Sequence, residues 1–98
     1  MTAKIEVEKI GEGEFQVRVI EGTSLTSHRV TVKTEDYERI AEGKGKRKVE
    51  ASEIVSCAFE FLLAREPKES ILQQFDLSMI GRYFAEFERE MKRRLSRT

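Results

Sequence analysis

Apolar and polar residues alternate through the first third of the chain. Ile5 and Val7 alternate with Lys4, Glu6 and Glu8, and Phe15, Val17 and Val19 alternate with Gln16 and Arg18. His28, Val30 and Val32 form a third set. A period of two marks a strand with one buried face. Gly11-Glu12-Gly13-Glu14 and Glu21-Gly22-Thr23-Ser24 separate the sets and supply residues suited to tight turns. Three strands joined by such short links predict an antiparallel meander with one apolar and one charged face.

Beyond Thr34 the period changes. Thr34 followed by Glu35-Asp36-Tyr37-Glu38 reads as an N-cap with acids at the positive end of a short helix ending near Gly43. Gly43 to Lys48 (GKGKRK) is the one biased stretch and reads as a loop. From Ala51, the residues Ile54, Val55, Ala58, Phe59, Phe61, Leu62 and Leu63 cover most of a helix circumference, which predicts the central, most buried helix. Pro67 ends it and starts a short helix carrying Ile71, Leu72 and Phe75. Asp76 or Ser78 caps a long last helix, with Ile80, Phe84, Phe87 and Met91 in a stripe and Tyr83 and Leu95 beside it. The expectation is a single α+β domain over residues 1–98: a three-stranded antiparallel meander followed by about four helices packed on one face.

Composition narrows the class. The chain has 98 residues, with 37% charged and 39% apolar, too apolar for a disordered tail and too polar for a membrane protein. Its longest apolar run, Phe61-Leu62-Leu63-Ala64, falls far short of the roughly 20 residues of a membrane span. Met1 to Glu6 has no signal-peptide core, so a cytosolic protein is expected. The 18 basic and 18 acidic residues cancel, but they are segregated. Lys44, Lys46, Arg47 and Lys48 form one basic cluster, and Lys92, Arg93, Arg94 and Arg97 form another.

The segment from Ala58 to Leu72 (AFEFLLAREPKESIL), followed by Phe75-Asp76-Leu77-Ser78-Met79-Ile80 and Tyr83-Phe84, resembles a small bacterial family of conserved hypothetical proteins of unassigned function. In that family an F-x-F-L-L-x-R-E-P-x-x-S-I-L segment leads into F-D-L-x-x-I-x-x-Y-F. The resemblance covers the C-terminal half well and the strand region only as a pattern. It implies an α+β fold and no catalytic residue. Family members often carry Pro after Tyr-Phe; this chain has Ala85, which predicts an unbroken last helix.

Candidate chemistry is sparse. The lone histidine, His28, falls in phase with Val30 and Val32 on the apolar face, whereas Ser27 faces the other way, so the two do not converge as a nucleophile and base. Cys57 lies in the central helix with no neighbouring base, which predicts an inert thiol. Glu86, Glu88 and Glu90 spread around a helix rather than sharing a face, and Glu88–Lys92 and Glu90–Arg94 form i,i+4 pairs. No calcium loop, zinc set or phosphate-binding glycine loop is present, so no metal or cofactor is expected. The reading is a non-catalytic interaction or assembly module whose partner is a protein, including a second copy of itself. Met91 and Leu95, surrounded in sequence by cations, are the expected self-association residues. The alternative is nucleic-acid binding through Lys44, Lys46, Arg47, Lys48, Lys92, Arg93, Arg94 and Arg97.

Overall fold

The computed structural model describes residues 3–41 and 49–96, with the side chain of Ser96 excepted. Strands β1 (Lys4–Gly11), β2 (Glu14–Glu21) and β3 (Ser24–Thr31) form the expected antiparallel meander. Two-residue links close both hairpins, and each needs a glycine at positive φ: Gly13 at 69° and Gly22 at 61°. At Gly13 space is also limiting, because a Cβ there would sit 2.8 Å from the Val32 carbonyl oxygen. Val17 and Val19 are fully buried, as are His28 and Val30 opposite Val17 and Phe15, so the alternation in the sequence is the inside–outside alternation of the sheet.

Helices cover the apolar face. They are α1 (Thr34–Ala41), α2 (Ala51–Leu63), α3 (Ser78–Tyr83) and α4 (Phe87–Ser96). A reciprocal pair starts α2: Glu53 Oε1 accepts the Glu50 N–H at 3.0 Å, while the Glu50 side chain accepts the Glu53 N–H. Ile54, Val55, Ala58, Phe59, Phe61 and Leu62 are all buried, which makes α2 the centre of the core. The stretch expected as a loop, 43–48, lies outside the described residues.

Three expectations need correction. Residues 67–75 are not a helix. A single 3₁₀ turn at Lys68–Ser70 leads into an extended segment and a fourth strand, β4 (Gln74–Asp76), which lies parallel to β3. The free edge of β3 decides this: Arg29 N–H donates to Gln73 O at 2.7 Å and Leu77 N–H donates to Thr31 O at 2.8 Å. Backbone groups beside a core must be paired, and this segment pairs them.

The long last helix is broken despite Ala85. Phe84 adopts φ −127° and ψ 101°, so the chain is extended between α3 and α4. The two halves are tied to different neighbours. Asp76 holds the start of α3 at β4, whereas Arg39–Glu88 (2.6 Å) and Arg94–Glu60 (3.7 Å) hold α4 against α1 and α2. Phe84 is where the chain turns from one set of ties to the other.

Met91 and Leu95 are not exposed residues awaiting a second chain. They are 0% and 3% exposed, covered within the monomer where α4 packs on α1 and α2. Their cationic sequence neighbours point elsewhere because helix positions one apart face different directions. Met91→Ala should therefore cost about 2–5 kcal/mol of folding stability, with the denaturant m-value unchanged. Urea unfolding followed by circular dichroism measures it. Met91→Lys with Leu95→Lys should unfold the chain rather than merely change its mass in solution.

Candidate functional site

An apolar concavity lies between the C-terminal turn of α2, the segment around the 3₁₀ turn, and α3. It is an open groove of about 400 Å³ lined by Leu62, Glu66, Ser70, Ile71, Leu72, Phe75, Met79, Ile80, Tyr83 and Phe84. Its floor is buried: Leu62, Ile71, Phe75 and Ile80 are each under 9% exposed. Its rim is not. Leu72 is 50% exposed and Tyr83 is 71% exposed, and together they give the groove an apolar lip.

Each wall is fixed by a specific contact. His28 holds the Leu72 side: Nδ1 is 2.8 Å from Leu72 O and Nε2 is 2.9 Å from Thr26 Oγ1. With the carbonyl as acceptor, Nδ1–H donates and Nε2 accepts the threonine hydroxyl. The ring also packs on Phe59 at 5.3 Å, so His28 clamps the extended segment to β3. Lys68 anchors the 3₁₀ turn from below. It is buried, and its ammonium donates to Glu21 at 2.9 Å and Glu69 at 2.8 Å. Those two bonds, Glu21's first, raise its pKa above lysine's ordinary value.

Asp76 positions the α3 wall. Its Oδ1 accepts the Thr31 hydroxyl at 2.6 Å, and its Oδ2 accepts both the Ser78 hydroxyl at 2.6 Å and the Ser78 N–H at 3.1 Å. Phe84 forms the far wall, edge-on to Phe61 with ring centroids 5.6 Å apart. Arg65 stacks over the Phe61 ring at 3.7 Å, comes within 5.9 Å of the Phe84 ring, and reaches Glu86 at 3.4 Å.

The one charged group in the lining is Glu66. Its carboxylate has no hydrogen bond or ion pair among the described residues. Chemically, the groove offers an apolar surface with a single unpaired anion at its margin.

Among the described residues, none of the interaction candidates singled out in the sequence lines this groove. Lys44, Lys46, Arg47, Lys48 and Arg97 fall outside the described residues. Of the C-terminal cluster, Arg93 is held by Glu90 at 2.9 Å, and Arg94 reaches Glu60 at 3.7 Å and Glu90 at 3.5 Å. Glu90 is correspondingly more acidic than usual, chiefly through Arg93. Lys92 is half-buried on the same helix. Glu88 is bound by Arg39, which also reaches Asp36 at 2.7 Å. Asp36 is buried with Oδ2 unpartnered, in the first turn of α1 where the N-terminal field of the helix favours an anion. Cys57 is half-buried on α2.

Among the described residues no group of three potential metal ligands exists, and no helix is long and apolar enough to cross a membrane. Comparison with family models, curated proteins and solved structures returns no match.

The sequence reading missed the groove. Its only trace is Tyr83, an aromatic beside the stripe of the last helix; Leu72 reads there as part of a helix's apolar side.

Asp76 gives this architecture a pH dependence. Burial pushes its carboxyl up, but the bonds from Ser78 and Thr31 and the nearby Lys33 outweigh that and leave it below the ordinary 3.8. A carboxyl more acidic in the folded chain stabilises the fold above its unfolded pKa. That contribution is lost as pH falls through the folded value. Urea melts at about pH 7 and about pH 3 should show wild type losing more stability on acidification than Asp76→Asn. Equal losses would mean that Asp76 does not carry the effect.

Proposed function

We propose that this protein is a non-catalytic, cytosolic interaction module. Its groove takes a segment of a partner protein that presents a bulky apolar side chain next to a lysine or arginine. The observation that carries the reading is the exposed Leu72 and Tyr83 flanking a preformed apolar floor, with the unpaired Glu66 carboxylate at the margin. An apolar anchor filling a fixed pocket supplies most of the energy in such contacts, and a rim charge selects among partners. The ordered walls support the same reading, since a floor already in place reduces the ordering cost of binding.

Selection of random peptides on the purified chain tests it. The expected winners carry Leu, Met or an aromatic adjacent to a basic residue. Their affinity should fall at least about tenfold with Leu72→Asp and with Tyr83→Ala. Glu66→Lys should shift the selected flanking residue from basic to acidic while the apolar anchor persists. Binders indifferent to Leu72→Asp, or no binders at all, would sink the proposal.

A further inference from the structure

The four-stranded sheet has two ends, and they are finished differently. The order is β1-β2-β3-β4, so β1 and β4 are the edges. β4 is three residues long and runs directly into α3, whereas β1 presents eight residues. On the covered face of β1, Ile5 and Val7 are only half-buried, although their neighbours in the same rows, Val19 and Val17, are fully buried. Among the described residues, the apolar layer therefore runs out to this edge without being closed there.

The other face of β1 carries Lys4, Glu6 and Glu8. Exposed strand edges usually bear charge to discourage pairing with other strands. Here the charges have an order of their own. A two-fold axis perpendicular to the sheet through Glu6 sets Lys4 opposite Glu8 of a second copy and Glu8 opposite its Lys4. It also sets Ile5 opposite Val7 and Val7 opposite Ile5. Glu8 has no ion pair among the described residues, and Lys4 has only a 3.4 Å contact to Glu6. The like-charged Glu6 pair at the axis is offset within each chain by Arg18, whose Nε and terminal nitrogen donate to Glu6 at 3.2 and 3.1 Å. Moving the register by two residues toward the C-terminus instead opposes Glu6 to Glu8 twice, which is unfavourable, and moving it by two toward the N-terminus matches Lys4 to the Glu6 already held by Arg18 and leaves Glu8 without a cation.

We propose that β1 pairs antiparallel with β1 of a second copy, with Glu6 on the two-fold axis, joining two four-stranded sheets into one of eight strands. An even pairing sum keeps both apolar faces on the same side, so the helical layers of the two copies also lie together. The charges that repel an arbitrary strand are matched by this one, which makes the edge selective rather than simply blocked. The interface is independent of the groove.

A charge swap tests it. Sedimentation at about 0.5 mM should show wild type with the mass of two chains. Lys4→Glu and Glu8→Lys should each weaken association by about tenfold or more, since symmetry makes every reversal count twice. The double variant Lys4→Glu, Glu8→Lys should recover to within about threefold of wild type. Circular dichroism confirms that each variant is folded. As a second measurement, in a Cys57→Ser background, Glu6→Cys should form an interchain disulfide on mild oxidation, because directly opposed strand residues lie within bridging distance. Lys9→Cys should not. A monomeric wild type overturns the proposal. So does a double variant as weak as the singles, or equal cross-linking at positions 6 and 9.

Discussion

The structure turns on the strand laid against the free edge of β3. Without it, β3 would present unpaired backbone groups beside the core. With it, Gln73 and Leu77 take up the Arg29 N–H and the Thr31 carbonyl, and Phe75 falls into the same row as Val30. Because the added strand is parallel, the chain must cross from one end of the sheet to the other between β3 and β4. That crossover is α1 and α2, and it supplies the apolar cover. The same segment carries Asp76, whose carboxylate fixes where α3 begins. Sheet closure, helical cover and the position of α3 thus follow from one pairing.

The groove is a consequence of that arrangement. α3 is held at the sheet edge while α4 is drawn onto α1 and α2, so the two cannot continue as one rod. Phe84 and Phe87, on either side of the break, both meet Phe61 close to edge-on, at 5.6 and 5.3 Å. Offset and edge-to-face aromatic pairs contribute about 0.5–1.5 kcal/mol beyond area burial, which helps to hold the turn. The space between α2 and α3 is left with a floor of core side chains and with Leu72, Tyr83, Ser70 and Glu66 around its lip.

Much of this was legible in the residues. The three alternating sets gave the meander and the faces of its strands, the dense apolar run gave α2, and the phase of His28 gave its burial. Residues 71–77 were ambiguous for a physical reason. Ile71, Leu72 and Phe75 fit one side of a helix, but Ile71, Phe75 and Leu77 also fit the buried side of an extended chain, and those three are the buried ones. Only the unpaired edge of β3, distant in sequence, decides between the two periods. The break at Phe84 has no local signal either, since neither glycine nor proline stands there; it arises from opposing tertiary ties. Met91 and Leu95 stand among cations in sequence but on a different side of the helix in space, so sequence adjacency does not reveal their burial. The groove was invisible for the same reason, being assembled from α2, the turn at Lys68–Ser70, β4 and α3.

The two edges of the sheet show how one constraint sets up another. Pairing at β3 ends the sheet on the β4 side with a strand too short to template further addition, and the chain turns at once into α3. Among the described residues nothing equivalent finishes β1, which carries side-chain charge and an irregularity between Lys9 and Gly11. Charge protects by selection: it raises the cost of most strands while lowering it for any strand that carries the complementary order. The groove sits at the β4 end and the charged edge at the other end of the strand order. Partners on the two proposed surfaces would therefore not obstruct one another, and two routes connect them: α2, which packs on β1 and contributes Leu62 to the groove, and the sheet itself, whose β4 contributes Phe75.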